Sequence, residues 1–233
     1  MDTPPATIYV VDDDADVRKA LARLLRSAGY ESRAFATGAE FLAAHDPCVP
    51  GCIILDLAMP DCGGLEVQAC LAASGCRRPI IFLTANGSIG TTVRALKAGA
   101  VNFLMKPVEQ SELFTAVEEA LRVDAAERTK ESLQKVVAQR FASLTPRERQ
   151  VLEHVVAGRL NKQIAADLGT VEKTVKVHRA RVMHKMGARS LAELVHLAAS
   201  LGIPTGLPPR RLGAPEIVPM RPSGQPFTFP ADR

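Results

Sequence analysis

The sequence predicts an α/β unit built on a five-stranded parallel sheet with helices on both faces, followed by an all-helical unit. Three observations predict it. Over the first 120 residues, short apolar runs alternate with helix-periodic stretches, as they must when strands are buried on both faces. From 144 to 201 the pattern is helical throughout. Charge divides at the same place. Residues 1–120 carry 10 Lys/Arg against 15 Asp/Glu and the remainder 19 against 10, so a whole-chain charge of +4 hides an acidic front and a basic back. A basic back half suits a polyanionic partner.

The elements follow in order. IYVV (8–11), a weaker SRAFA (32–36), CIIL (52–55), IIFLT (80–84) and VNFLM (101–105) are the expected strands. The intervening helices span 17–28, 39–44, 65–73, 91–98 and 112–122, and Gly29, Gly75 and Gly99 stand just past their helices. Glycine ends helices there because it enters the left-handed region without a Cβ penalty. Residues 121–141 hold no Gly or Pro and are expected to form a helical linker between a first domain (1–120) and a second (142–202). The second opens on LTPRERQVLEHVVAG, with a Thr cap, Pro at the first helical position and an apolar face of Val151, Leu152, Val155 and Val156. NKQIAADLG, EKTVKVHRARVMHKM and SLAELVHLAASLG complete a four-helix unit. Residues 202–233 hold 8 of the 16 prolines without periodicity, so the tail from 203 is expected to be disordered.

Composition narrows the class. Aromatics make up 4% and Trp is absent, so the cores are expected to be aliphatic. No apolar run approaches the roughly 18 residues of a membrane span. The start, MDTPPATIYVVDDD, lacks the basic region of a signal peptide. A cytoplasmic location without membrane contact is expected. The five cysteines (Cys48, Cys52, Cys62, Cys70 and Cys76) are odd in number and form no C-x-x-C pair, which suits reduced thiols packing as small hydrophobes.

The chemistry gathers at strand ends. In a doubly wound parallel sheet, functional groups collect at the carboxyl edge. The first strand ends in Asp12 and Asp13, the third in Asp56, the fourth in Thr84 and the fifth in Lys106. An ionised carboxylate after the apolar run Ile53–Leu55 needs a counter-charge or an open edge. Clustered carboxylates raise one another's pKa unless a cation joins them, and a hard cation such as Mg²⁺ suits oxygen donors. Metal and Lys106 together would neutralise a transferred phosphoryl group, with Asp56 as the nucleophile.

VVDDDADVR (10–18), ILDLAMPDCGGLE (54–66), LTANG (83–87) and KAGAVNFLMKP (97–107) make residues 7–122 resemble a receiver domain of a two-component response regulator, with a flavodoxin-like (CheY-like) fold. The resemblance implies that Asp56 accepts phosphate from the phosphohistidine of a cognate sensor histidine kinase. It implies that Asp12 and Asp13 bind Mg²⁺ with Asp56 and the backbone carbonyl of Ala58, and that Lys106 pairs with phosphoryl oxygens. Thr84 would move to the phosphoryl group and the switch aromatic Phe103 would turn inward with it. Lys106–Pro107 resembles the family's Lys–Pro step, usually a cis bond. Asn86 and Ser88 stand where relatives often carry His and Asp.

The segment from Leu144 to Met186 resembles the LuxR-type helix-turn-helix of FixJ/NarL-like regulators. A short helix, a Gly169 turn and a helix displaying Lys173, Lys176, Arg179, Arg181 and Lys185 place a basic, groove-sized helix where a recognition helix belongs. Val175, Val182 and Met186 are expected to pack inward. By the resemblance Lys176, Val177 and Ala180 reach base edges, while Thr174, His178, Arg181, Asn161 and Lys162 serve phosphates or local structure. Val171 stands where relatives usually have a Ser or Thr cap, so capping by Thr170 or a shifted helix start is expected.

The two resemblances imply a phosphorylation-controlled transcription regulator, not an enzyme beyond catalysing its own phosphorylation and dephosphorylation. They imply double-stranded promoter DNA and RNA polymerase as partners, and a homodimer on phosphorylation. A haloacid-dehalogenase-like phosphatase would need a second acid two residues after Asp56, where Ala58 stands. An RNA-binding antiterminator would need a three-helix RNA module in place of the helix-turn-helix.

Overall fold

A computed structural model describes residues 5–60, 62–85 and 87–206. Asn86 and the tail from 207 onward lie outside the described residues. The chain divides into two compact units, 1–133 and 134–233.

The strands of the first unit are β1 (Thr7–Val11), β2 (Glu31–Phe35), β3 (Gly51–Asp56), β4 (Ile80–Thr84) and β5 (Asn102–Met105). They form one parallel sheet in the order β2-β1-β3-β4-β5. Helices α1 (Ala15–Ser27), α2 (Gly38–Ala44), α3 (Gly64–Ala73) and α4 (Ile89–Lys97) connect the strands, and α5 (Gln110–Ala142) follows β5. Alternate residues of the apolar strands point to opposite faces. Ile8, Val10, Ile54, Ile81 and Leu83 meet Leu21 and Leu25 of α1 and Leu113, Val117 and Ala120 of α5. Tyr9, Val11, Ile53, Leu55 and Phe82 meet Phe41, Val67, Leu71 and Ala95 of α2, α3 and α4. Each such aliphatic side chain, fully buried, stabilises by about 1.5–3 kcal/mol. Covering both faces is why the central strands are apolar between their ends. The expected caps Gly29, Gly75 and Gly99 all take positive φ.

The helix expected over 121–141 is present as the continuation of the helix that follows β5: α5 runs unbroken from Gln110 to Ala142. No breaker interrupts it, and both of its halves find partners. Buried Asp124 accepts from the Gly51 backbone N–H at 2.9 Å and from Arg128 Nε at 2.8 Å. The Arg128 guanidinium donates to the carbonyls of Pro47, Cys48 and Val49. Further along, Val137 is buried in the core of the second unit, with Phe141 packed against it.

That second core gathers Val151, Leu152, Val155 and Val156 of α6 (Pro146–Val156), Ile164 and Ala165 of α7 (Asn161–Asp167), and Val175, Val182 and Met186 of α8 (Glu172–Met186). Leu194 and Ala198 of α9 (Leu191–Ser200) close it. Thr145 caps α6 as expected and forms a reciprocal capping box with Glu148. Thr170 does not cap α8. The cap position is Val171, without a side-chain hydrogen bond, and the helix starts at Glu172. Val175, four residues after that cap, is buried in the core. Among the described residues, no helix is long and apolar enough to cross a membrane.

Candidate functional site

Strand register assembles the acidic site. Val11 pairs with Leu55, so Asp12 and Asp56 are neighbours at the carboxyl ends of β1 and β3. This is where strand order switches direction, the position at which doubly wound sheets bind ligands. The carboxylates of Asp12, Asp13 and Asp56 offer oxygen atoms that all lie within 4.8 Å of one another. Asp12 and Asp56 are buried and Asp13 is exposed. Lys106 follows β5 and continues the ladder through its N–H to the Thr84 carbonyl at 2.8 Å. Its Nζ donates to Asp12 Oδ2 at 2.7 Å and Asp56 Oδ2 at 3.2 Å. One ammonium thus supplies the counter-charge for both buried acids. Burial alone would push that ammonium's pKa down, but the Asp12 hydrogen bond and charge, then those of Asp56, outweigh it and raise the pKa.

The acidic run 12–14 divides by role. Asp12 is the ion-paired member, and Asp13 faces outward beside it. Asp14 caps α1, accepting from the N–H groups of Asp16 and Val17, which hold its pKa below the usual value. The Ala58 N–H donates to Asp56 Oδ1 at 3.4 Å. Thr84 is buried at the end of β4, and Phe103 is half-buried on β5, its ring 6.2 Å from that of Phe82. The Lys106–Pro107 bond is cis. Ser88 caps α4 by accepting from the Thr91 N–H. Sequence reasoning missed Arg18, whose Nη1 donates to the Asp12 carbonyl at 2.6 Å and steadies the loop carrying the acids. Its place four residues after the α1 cap was the available signal.

Three hard carboxylate oxygens converging beside an ammonium fit Mg²⁺ better than a soft, thiolate-seeking ion. The arrangement holds a carboxylate nucleophile next to cationic charge, which is what acceptance of a phosphoryl group requires.

The second constellation lies on α8. Lys173, Lys176, Val177, Ala180 and Arg181 are exposed along one face, while Val175, Val182 and Met186 point into the core. Thr174 is half-buried at the edge of that face, and Lys162 is exposed on α7. Two expected members of the displayed cations are engaged in the fold instead. Arg179 is half-buried and donates to Asn161 Oδ1 at 3.1 Å. Lys185 donates to the buried carboxylate of Glu148 at 2.6 Å. That pairing, then the Thr145 N–H, pulls the pKa of Glu148 down to about 2. A helical wheel cannot separate these cations, because burial depends on where α6 and α7 lie. Lys176 also approaches Glu172 of its own helix at 3.5 Å.

Comparison with known proteins assigns a family to each unit. Residues 8–118 match the family described as response regulator receiver domain, and residues 142–198 match bacterial regulatory proteins of the luxR family. Nodulation protein W of Bradyrhizobium diazoefficiens is 43% identical over 198 residues, which is 85% of this chain and 87% of that protein. Transcriptional regulatory protein FixJ of Azorhizobium caulinodans is 42% identical, over 84% of this chain and 93% of that one. The solved structure of response regulator StyR superposes with a TM-score of 0.74 at 48% identity, covering 84% of this chain and 98% of that chain.

Proposed function

Because the chain belongs to the transcriptional response regulators that join a receiver domain to a LuxR-type DNA-binding domain, we propose that Asp56 is its phosphoacceptor and that α8 reads its promoter. The carrying observation is the shared ion pair of Lys106 with Asp12 and Asp56, beside a third carboxylate at the switch point of the sheet. Asp12, Asp13 and Asp56, with the Ala58 carbonyl, would hold Mg²⁺. When bound, the ion supplies charge neutralisation for the entering phosphoryl oxygens.

The chain's own residues do the rest. The Asp56 carboxylate forms a bond to phosphorus, and the bond to the kinase's histidine nitrogen breaks, its electron pair staying on that nitrogen. Lys106 gives up part of its pairing with Asp12 and Asp56 to meet a phosphoryl oxygen. Thr84, at the end of β4, and Phe103, on the neighbouring β5 opposite Phe82, act as the switch pair. Their motion would be felt on the α4–β5 face, where Ile89, Val93 and Leu96 are exposed at i, i+4 and i+7 beside exposed Met105. That apolar stripe supports a homodimer formed on phosphorylation. In the second domain, Lys176, Val177 and Ala180 would contact base edges. Lys173, Thr174, Arg181, Asn161 and Lys162 would contact phosphate, or local structure in the case of Asn161.

The domain boundaries proposed are 1–120, a linker to 141, and 142–202. The cognate histidine kinase and RNA polymerase are the protein partners, the location is the cytoplasm, and the chain turns over no substrate beyond its own phosphoryl group. To test this, the protein and Asp56→Asn are incubated with acetyl phosphate and Mg²⁺, then compared by sedimentation and by binding to promoter DNA. Dimerisation and tighter DNA binding in the wild type alone are expected. Identical behaviour of the two proteins would sink the proposal.

A further inference from the structure

The carbonyl end of α8 is held by groups that take no part in the proposed DNA contacts. Arg140, in the last turn of α5, donates from Nη1 to the Met186 carbonyl at 3.1 Å. Gly187 ends α8 with φ +70°, and a Cβ there would stand 2.5 Å from Arg140 Nη1 and 2.9 Å from Cζ. The backbone turn therefore requires glycine at 187, and a Cβ there would push the Arg140 guanidinium from its seat. Lys185 Nζ, one residue before Met186, donates to the Ser143 carbonyl at 3.2 Å as well as to Glu148. Ser143 in turn donates from Oγ to the Arg140 carbonyl at 2.6 Å. Arg149 of α6 lies over the Phe141 ring and donates to the Ala142 carbonyl. The negative end of the α8 dipole thus meets two cations, Arg140 in the last turn of α5 and Lys185, which is tied to Ser143 just beyond it.

We propose that Arg140 is a positioning residue for DNA recognition: through Met186 and Gly187, the last turn of α5 sets the tilt of α8. This rests on the reading that α8 enters the DNA groove. Val175, Val182 and Met186 fix how deeply α8 sits in its core, but apolar contacts alone specify direction weakly. From Met186 to Lys176 the helix spans about 15 Å, so a tilt of about 4° about the held end moves Lys176 by about 1 Å. Displacement on that scale is enough to spoil hydrogen bonds to base edges. It leaves attraction to phosphate nearly intact, because that attraction tolerates misplacement. Arg140 also belongs to the helix that begins at Gln110, so a shift in the last turn of α5 reaches α8 through one hydrogen bond.

The test uses the full chain treated with acetyl phosphate and Mg²⁺. It uses a DNA duplex that the wild type selects from a random pool and a scrambled duplex of equal length. Arg140→Ala should bind the selected duplex about tenfold more weakly and the scrambled one within about twofold. The slope of log affinity against log salt should not change. Arg140→Lys, which keeps a charged donor, should recover most of the loss. If Arg140→Ala does not fold, Arg140→Gln carries the same expectations, since it keeps a donor but shortens the reach. A salt slope shallower by about one would make Arg140 a phosphate contact and overturn the proposal. Unchanged affinity for the selected duplex, or equal loss on both duplexes with a lowered melting temperature, would overturn it too. If the wild type selects no duplex, the reading of α8 fails instead.

Discussion

The receiver places its charges where strands run out, and the DNA-binding domain places its charges where a helix faces solvent. Asp12, Asp56 and Lys106 are close, largely buried and mutually paired. Lys173, Lys176 and Arg181 are exposed, and among the described residues Lys176 alone of the three forms an ion pair, with Glu172 of its own helix. A buried cluster is a device with few stable states, because any unpaired member is costly. An exposed row is a graded device in which each cation adds its share. The difference also runs inside α8 itself. Lys176 and Lys185 are the same residue type on one helix, yet one is offered to a partner and the other neutralises buried Glu148.

Substitutions of these lysines sharpen the comparison. Lys185→Ala leaves the Glu148 carboxylate buried and half-satisfied, and should lower the stability of the DNA-binding domain by about 1–3 kcal/mol. Chemical denaturation checks this, and a change below about 0.5 kcal/mol would mean the pair is solvated. Next in size is Mg²⁺. At tenfold excess over its dissociation constant it should stabilise the wild-type receiver by about 1.4 kcal/mol. The thermal shift should largely vanish in Asp13→Asn, since Asp13 is exposed and has no packing role. An equal shift in both proteins would remove Asp13 from the ligand set.

Lys176→Ala should weaken binding to a selected duplex about tenfold without changing stability, because its ammonium is exposed. A loss of stability instead would return it to the class of Lys185. The last prediction concerns pH. Glu148 has its folded pKa lowered from 4.5 to about 2, so the stabilisation it brings is present above pH 4.5 and fades as pH falls from there towards 2. The stability gap between wild type and Glu148→Gln should therefore narrow as pH drops from about 5 to about 3. A constant gap across that range would mean that Lys185 does not hold the carboxylate ionised.

The acidic site was legible in the sequence because apolar strands punctuate it: each run stops at the residue that does the chemistry. Adjacency was legible only through the family resemblance. That Asp12 neighbours Asp56 follows from strand order and register, which the spacing along the chain does not encode. The span of α8 was legible in EKTVKVHRARVMHKM, and its inward face in Val175, Val182 and Met186, but its uncapped start at Val171 was not. The fates of Arg179 and Lys185 were hidden, because their partners Asn161 and Glu148 come from other helices. The continuity of α5 was only half visible. The absence of Gly and Pro over 121–141 announced a helix, but the anchors that Arg128 and Arg140 make lie 79 and 46 residues away along the chain.

One measurement bears most directly on the account: the intact mass of the protein after incubation with acetyl phosphate and Mg²⁺, beside that of Asp56→Asn. The account predicts that the wild type gains the mass of one phosphoryl group and that Asp56→Asn gains none. An unmodified wild type, or equal uptake by the variant, would contradict the assignment of Asp56.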